Sequence, residues 1–258
     1  MDLVRASHLY KVFGKNERQV IERLKAGESR EELASLGTAA VIDVSFEVAK
    51  GETFVVMGLS GSGKSTLIRM INGLWSPSEG TVEVAGKVVS GMNDAQMRAL
   101  RRDHVSMVFQ HFALLPHLTV RENAAYGLKL QGKLKQKERL EKANEWLNTV
   151  GLNGWGDKYP HQLSGGMQQR VGLARALAAE TDILLMDEAF SALDPLIRRE
   201  MQDQLLELQG ALNKTIIFIT HDLNEAMYLG DHIAVMRNGR VAQIGTSDEI
   251  LTCLLYTS

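Results

Sequence analysis

The sequence has a single cysteine, no long apolar run and no excess of either charge. Because Cys253 stands alone, no disulfide can form within the chain. The longest apolar runs, such as residues 54–57 and 183–186, are far shorter than the roughly 20 residues of a membrane-spanning helix. Lys and Arg number 29 against 31 Asp and Glu, which gives no indication of the basic surface that general nucleic-acid binders carry.

What is present is the composition of an ordinary folded protein. Of the 258 residues, 45% are hydrophobic and 23% are charged, enough for one large α/β domain with its own core. The first ten residues carry charges and lack the apolar core of a signal peptide. We therefore expect a cytosolic protein, which could still dock on a membrane partner.

Strand and helix patterns alternate, which predicts a largely parallel sheet with helices on both faces. Hairpins are predicted over 41–57, around Ala85-Gly86 and around Asn238-Gly239. Apolar periodicity predicts helices over 93–102, 119–150 and 196–208, and apolar or β-branched runs predict buried strands at 183–186 and 215–220.

Two segments depart from this pattern. Residues 14–40 are charged but place Val20, Ile21 and Leu24 at helical spacing, which predicts a helical surface insertion. Ser29 followed by Glu32 fits a capping box, and a docking or regulatory element is the alternative interpretation. At the other end, a helix is expected to begin near 248 and to have nothing to pack against. The tail 252–258 is therefore interpreted as truncated or non-native.

A glycine-rich loop at 58–66 follows an apolar strand and opens a helix. It fits the phosphate-loop pattern G-x-x-x-x-G-K-[ST], although a plain glycine turn is the alternative. Glycines let backbone N–H groups turn towards phosphate oxygens, and the helix adds its positive end. Lys64 is predicted to neutralise the β- and γ-phosphates, and Ser65 to offer its hydroxyl to Mg²⁺. The predicted nucleotide-binding residues here are Gly58, Ser60, Gly61, Ser62, Gly63, Lys64, Ser65 and Thr66.

Two carboxylates end a second apolar strand. Asp187 and Glu188 follow the run 183–186, and consecutive side chains at a strand end point in different directions. Asp187 is predicted to hold Mg²⁺, and Glu188 to act as the general base on the attacking water. Alone the pattern is weak, because many buried strands end in Asp. The phosphate loop upstream is what favours the functional interpretation.

A second anion site is predicted at 163–170, where the sequence reads Leu-Ser-Gly-Gly-Met-Gln-Gln-Arg. Ser164 can cap a helix that runs to Ala179, and Gly165 and Gly166 expose their backbone N–H groups. An ordinary helix cap would look the same. Because the phosphate loop covers one side of a nucleotide, we expect this helix to close the opposite side.

Together these motifs resemble the nucleotide-binding domain of ATP-binding cassette proteins, over at least residues 3–250. Residues 163–170 are similar to that family's signature motif, with Met167 where many members have Gln. The resemblance implies a single α/β phosphate-loop NTPase domain with a RecA-like core, an antiparallel β subdomain and an inserted helical subdomain at about 90–165. It also implies that two copies sandwich two ATP, the signature of one capping the nucleotide of the other.

The resemblance assigns roles to further residues. Gln110 would sense Mg²⁺ and the attacking water, and His221 would contact the γ-phosphate. Asp194 would lie in the loop that crosses the dimer, although it could equally be a helix N-cap. Phe13 would stack on adenine, with Tyr10 as the alternative, and either ring could instead be part of the core.

A narrower resemblance, to the ATPase subunits of quaternary-amine importers, is carried by residues 9–14, the insertion after them, 109–118 and 187–197. It implies import of glycine betaine, proline betaine, choline or carnitine with ATP and Mg²⁺. The implied partners are a second copy, a transmembrane permease and indirectly a substrate-binding protein, at the cytoplasmic face of the cell membrane, with no nucleic acid. Many members carry C-terminal regulatory CBS repeats, before which this chain stops.

The permease is expected to contact residues 111–127, which are rich in apolar residues such as Phe112, Leu114, Leu115 and Leu118; internal packing is the alternative. Three other functions stay open at this point. They are a cassette ATPase for another small solute, a non-transport cassette protein, and a phosphate-loop kinase or GTPase, which would lack the signature helix.

Overall fold

The computed structural model describes residues 2–110, 113–191 and 193–256. It divides into two compact units, Met1–Met97 with Ile217–Ser258, and Arg98–Ile216. The strands are β1 Asp2–Phe13, β2 Thr38–Ala49, β3 Thr53–Gly58, β4 Glu79–Val84, β5 Lys87–Val88, β6 Val105–Val108, β7 Ile183–Asp187, β8 Thr215–Thr220, β9 His232–Arg237 and β10 Arg240–Gly245. The helices are α1 Glu17–Lys25, α2 Lys64–Ile71, α3 Asp94–Asp103, α4 Val120–Ala124, α5 Tyr126–Gln131, α6 Gln136–Thr149, α7 Gly165–Ala178, α8 Pro195–Leu212, α9 Leu223–Leu229 and α10 Ser247–Tyr256.

The first unit contains a four-stranded antiparallel sheet of order β2–β1–β4–β5. Val4 lies opposite Val48 of β2 and Val84 of β4, and all three are buried on one face. The same unit holds β3 between β9 and β8 in a second sheet, with β3 and β9 parallel and β9 and β10 antiparallel. This mixture of sheets agrees with the predicted α/β class.

The predicted hairpin over 41–57 is wrong, because β2 and β3 belong to different sheets. The turn at Lys50-Gly51 exists, but it carries the chain from one sheet to the other. The burial patterns explain the difference. Strand β2 alternates buried and exposed residues over much of its length, whereas β3 is buried from Thr53 to Val56, as expected for a strand covered on both faces.

The other two predicted hairpins are confirmed. Strands β4 and β5 pair around Ala85 and Gly86, whose φ angles are 51° and 72°. Strands β9 and β10 pair around Asn238 and Gly239, at 51° and 80°. Two consecutive positive φ angles are the requirement of the tight turn that matches the twist of a hairpin.

The charged insertion folds onto the antiparallel sheet. Val20, Ile21 and Leu24 of α1 join Leu33 in a buried cluster with residues of β1 and β2. Ser29 and Glu32 form the predicted capping box, with Ser29 N donating to Glu32 Oε2 at 2.8 Å. Only α1 is helical, since residues 30–36 form successive turns.

The second unit contains the parallel pair β6 and β7 together with helices α4 to α8. Helical structure is confirmed within 119–150, but it is divided into three helices by breaks at Ala125 and Gly132. Thr119 starts the first of them with a capping box to Glu122. The helices predicted at 93–102 and 196–208 correspond to α3 and α8. The boundaries of the helical subdomain stay a prediction.

The C-terminal helix α10 packs on β9 and β10, and Ile250 is fully buried. The expectation that this helix has nothing to pack against is therefore wrong, because α10 contacts both strands of the β9–β10 hairpin and buries Ile250. Among the residues that the structure describes, no helix has the length and apolar character to span a membrane.

Candidate functional site

The glycine-rich loop lies between β3 and α2 in the first unit, as predicted. Lys64 is buried and its Nζ donates to the carbonyl oxygens of Gly58, at 2.7 Å, and Leu59, at 3.2 Å. Lys64 thus links the end of the loop to its beginning and places its ammonium group against the loop's own carbonyl oxygens. Such a loop at a helix N-terminus binds phosphate groups through N–H donors and charge.

Two local features define the interior of this loop. Gly63 has a φ of 103°, and a Cβ there would lie 2.2 Å from the carbonyl oxygen of Ala40, so a larger residue does not fit. The Oγ of Ser62 is buried and has no hydrogen-bond partner within the described chain. Buried polar atoms are almost always paired, and a phosphate oxygen would satisfy this hydroxyl.

The carboxylates Asp187 and Glu188 lie at the end of β7 in the second unit. Asp187 is buried, whereas Glu188 is half-buried and has a φ of 47°. A non-glycine residue in this left-handed region is strained by about 1–3 kcal/mol and persists only where its surroundings hold it. Here the N–H and Oγ of Ser191 both donate to the Glu188 carbonyl oxygen, at 3.2 and 2.9 Å.

Gln110 is brought to Glu188, as the predicted roles require. It lies two residues beyond the end of β6, and its Nε2 lies 3.5 Å from Oε2 of Glu188, a long contact. Because β6 and β7 are parallel neighbours, their carboxyl ends meet at one edge. Gln110 is exposed, so a water molecule has access to the pair.

The predicted helix at the signature segment is α7. Ser164 is its N-cap, and Ser164 Oγ accepts from the N–H of Met167 at 3.3 Å. Ser164 and Gly165 are exposed, whereas the helix behind them is largely buried. The N-terminus of α7 therefore exposes backbone N–H groups to solvent, and the buried remainder of the helix holds them in place.

Gln169 is a residue of this helix that sequence reasoning missed. It is buried, and its Nε2 donates to the carbonyl oxygen of Ala189, next to Glu188. The signature helix is thereby tied to the turn that carries the predicted base. A glutamine within an apolar helix could have been noticed in the sequence, but the sequence does not predict that Ala189 is its partner.

His221 follows β8 directly in the first unit, and its side chain is exposed. The turn around it is fixed by Thr220, whose hydroxyl donates to Glu225 at 2.5 Å and accepts from Asp222 N at 3.0 Å. Asp222 caps α9. Asp194 likewise caps α8, with its carboxylate accepting from the N–H of Leu196. The cap interpretation of Asp194 is thus confirmed, and its role in a dimer stays a prediction.

The two aromatic candidates for base stacking are in different environments. Phe13 ends β1 and is 38% exposed, so one side of its ring is accessible. Tyr10 is 4% exposed and belongs to the buried cluster beneath the insertion. Tyr10 therefore has the core role, and the stacking role of Phe13 stays a prediction.

The segment after Gln110 is held from within the second unit. His111 and Phe112 lie outside the described residues. Leu114, Leu115 and Leu118 are each half-buried. Asn123, which sequence reasoning also missed, is fully buried and bonds both the N–H and the carbonyl oxygen of Leu115, at 2.8 and 3.0 Å.

Asp187 and Ser65 belong to different units, and their role as Mg²⁺ ligands stays a prediction. Mg²⁺ is usually bound through one or two carboxylates, with substrate phosphates and water completing its octahedron. Asp187 offers a carboxylate and Ser65 a hydroxyl. In the described part of the chain no group of three or more His, Cys, Asp or Glu side chains could bind a metal by itself.

Comparison with known proteins assigns the family. A family profile described as ABC transporter matches residues 41–191. The chain belongs to the ABC transporter family. Its sheets and helices accordingly form a phosphate-loop NTPase cassette of the α/β class.

The curated relatives are ATP-binding subunits of transport systems. The chain is 54% identical over 250 residues to the glycine betaine transport ATP-binding protein OpuAA of Bacillus subtilis, covering 96% of this chain and 60% of that protein. It is 53% identical over 249 residues to the glycine betaine/proline betaine protein ProV of Escherichia coli, covering 95% and 61%. The chain thus spans about three fifths of the length of these relatives.

Solved structures share the fold. A dimeric ATP-binding cassette, MJ0796, in a post-hydrolysis state bound to ADP and Pi, superposes with a TM-score of 0.82 at 32% identity, covering 95% of this chain and 98% of that one. The cassette cbiO1 from Clostridium perfringens, part of the transporter complex cbiONQ, gives 0.80 at 27% identity, covering 97% and 91%.

Proposed function

We propose that this chain is the ATP-hydrolysing subunit of a membrane importer for glycine betaine and related quaternary amines. The observation that carries the proposal is the 54% identity to a glycine betaine transport ATP-binding protein, in a chain whose phosphate loop is intact. The 250 aligned residues, 96% of the chain, include every motif discussed above. It favours this solute over the other small solutes that ATP-binding cassettes serve.

ATP binding is assigned to the first unit's loop and aromatic ring. The N–H groups of 58–66 and the N-terminus of α2 would hold the β- and γ-phosphates. Lys64 would exchange the carbonyls of Gly58 and Leu59 for phosphate oxygens, since a cation is bound more strongly by an anion than by a neutral carbonyl. Phe13 would stack on the adenine ring.

Hydrolysis is assigned to Glu188, Gln110 and His221. Glu188 would accept a proton from the attacking water, with Gln110 orienting that water. His221 would donate a hydrogen bond to the γ-phosphate as its charge develops. Asp187, Gln110 and Ser65 are each proposed to offer an oxygen ligand to Mg²⁺, which when bound would supply positive charge to the phosphates.

A second copy of the chain is the proposed partner in closure. The N–H groups at Ser164, Gly165 and Gly166 would cap the ATP held on the phosphate loop of the other copy. Asp194 would lie in the loop that crosses the dimer. The dimeric cassette structure at 32% identity supports this arrangement. Closure excludes water from the phosphates and strengthens every electrostatic contact there.

A transmembrane permease is the second proposed partner, with a substrate-binding protein acting through it. This places the chain peripherally at the cytoplasmic face of the cell membrane. Leu114 and Leu115 are half-buried on the segment after Gln110, which suits a surface that becomes covered when the permease binds.

Leu115→Asp should abolish uptake while ATPase activity persists. Leu130→Asp, on a leucine that is 58% exposed, is the matched control. Loss of ATPase activity together with uptake would contradict this docking role.

The proposal as a whole is tested by reconstitution with the permease in vesicles. ATP-dependent uptake of labelled glycine betaine should appear with the wild-type chain and disappear with Lys64→Ala. ATP hydrolysis without betaine-dependent stimulation, with uptake of another solute, would keep the ATPase and reject the substrate. Absence of any ATPase activity would reject the function.

A further inference from the structure

Four side chains form a line of contacts at the end of β1, all within the first unit. The ring centres of Phe13 and Trp75 are 5.0 Å apart, with the planes at 76°. The guanidinium carbon of Arg69 lies 4.8 Å from the ring centre of Trp75, and Nζ of Lys11 lies 5.2 Å from that of Phe13. Edge-to-face aromatic pairs and cation–ring contacts at these distances are attractive.

The segment that carries Trp75 is tied to β1 directly after the indole. Lys11 Nζ donates to the carbonyl oxygen of Ser76 at 2.9 Å, directly after Trp75. The N–H of Ser78 donates to the carbonyl oxygen of Tyr10 at 2.8 Å. The connection between α2 and β4 is therefore fixed against the strand that ends in Phe13.

Trp75 is also fixed to the phosphate-loop helix. The N–H groups of Leu74 and Trp75 both donate to the carbonyl oxygen of Arg69, at 2.8 and 3.0 Å, at the C-terminal end of α2. Helix α2 begins at Lys64, in the loop itself. One short helix thus carries the phosphate-binding groups at its start and the neighbour of Phe13 just beyond its end.

We propose that Trp75 is a positioning residue that holds the ring of Phe13 ready to stack on the base of a purine nucleoside triphosphate. This inference rests on the proposed ATP-binding function. An unsupported phenyl ring that is 38% exposed would exchange between rotamers, and stacking would have to immobilise it at a cost in affinity. Contact with Trp75 fixes the ring before the nucleotide arrives.

The test compares two ligands on the full chain, ATP and inorganic tripolyphosphate, which lacks a base. Trp75→Ala should raise the Kd for ATP about threefold to tenfold and leave the Kd for tripolyphosphate unchanged. Trp75→Phe keeps an aromatic edge and should stay within about twofold of wild type. Trp155→Ala, on a tryptophan of the second unit that is also 38% exposed, is the control and should change neither Kd.

A spectroscopic measurement separates positioning from a general loss of stability. The chain has three tryptophans, so Trp146→Phe with Trp155→Phe leaves Trp75 as the reporter. ATP should shift its emission, whereas tripolyphosphate should not. Equal weakening of both ligands by Trp75→Ala would overturn the proposal, because the residue would then act on the phosphate loop. Unchanged ATP binding would overturn it too, while a wild-type chain that binds no ATP would reject the proposed function as well.

Discussion

Replacing Gly63 by Ala should be among the most damaging single-methyl additions in the chain. Its φ of 103° lies outside the range of L-residues, and the added Cβ would lie 2.2 Å from the carbonyl oxygen of Ala40 on β2. The conformational cost is about 1–2 kcal/mol, partly offset by a gain of about 0.4–1 kcal/mol from a stiffer unfolded chain. The clash involves backbone on both sides, so the loop must move by about 1 Å or unfold locally, which adds about 1–3 kcal/mol.

Gly86→Ala is the matched control for this substitution. Gly86 has a φ of 72° in the β4–β5 turn, and nothing lies within 4 Å of an added Cβ. Gly86→Ala should therefore show the conformational cost alone and leave ATP binding unchanged. In a chain of this size each kcal/mol lost lowers Tm by about 2–4 °C. Gly63→Ala should lower Tm by roughly twice as much or more and weaken ATP binding at least tenfold, about 1.4 kcal/mol.

The assay is calorimetric titration of ATP together with thermal unfolding of the three proteins. The reasoning depends on a loop that has no room to adjust. Gly63→Ala with wild-type ATP affinity would therefore refute it, even if its Tm fell. Equal effects of the two alanines on Tm would show that the contact with Ala40 costs nothing.

Three further predictions concern the second unit. Gln169→Leu keeps the side-chain size but leaves the carbonyl oxygen of Ala189 unpaired, so kcat should fall about tenfold at unchanged ATP affinity. A proportional loss of ATP affinity would contradict the view that Gln169 acts only by holding the turn that carries Glu188. Asn123→Ala removes a carboxamide whose oxygen accepts from the N–H of Leu115 and whose NH₂ group contacts the carbonyl oxygens of Leu115, Leu118 and Thr119. It should cost about 2–4 kcal/mol in urea unfolding, and a loss below about 1 kcal/mol would contradict the role of Asn123 in holding this segment. Hydrogen bonds from the N–H and hydroxyl of Thr119 hold the pKa of Glu122 below its ordinary value. This stabilisation is present above the unfolded pKa and is lost as pH falls through the folded pKa, so Glu122→Gln should reduce the acid dependence of the urea midpoint. An unchanged dependence would contradict the lowered pKa of Glu122.

The parts of the site that are contiguous in sequence could be predicted. The phosphate loop, the carboxylates after β7 and the cap at Ser164 each need only a few neighbouring residues to define their geometry. Two of the three hairpins were predictable for the same reason, because Ala85-Gly86 and Asn238-Gly239 fix a turn locally. The structure confirms the strands, turns and helix starts of these segments, and the roles of their residues in binding and hydrolysis stay predictions.

The parts that depend on distant partners could not be predicted. Alternation shows that β2 and β3 are strands, but it does not say which strands they pair with, and so the hairpin over 41–57 was wrong. The contacts of Gln169 with Ala189 and of Trp75 with Phe13 join residues from different elements. The sequence identifies such residues only as a polar or aromatic side chain without a local reason.

The central claim is that Glu188 is the base of an ATPase that closes as a dimer around ATP. Size-exclusion chromatography of Glu188→Gln, with and without ATP and Mg²⁺, tests it most directly, because this change keeps nucleotide binding and stalls hydrolysis. Glu188→Gln should form a dimer that accumulates only with ATP. A Glu188→Gln chain that still hydrolyses ATP at the wild-type rate, or that binds ATP and remains monomeric even with its permease, would contradict it.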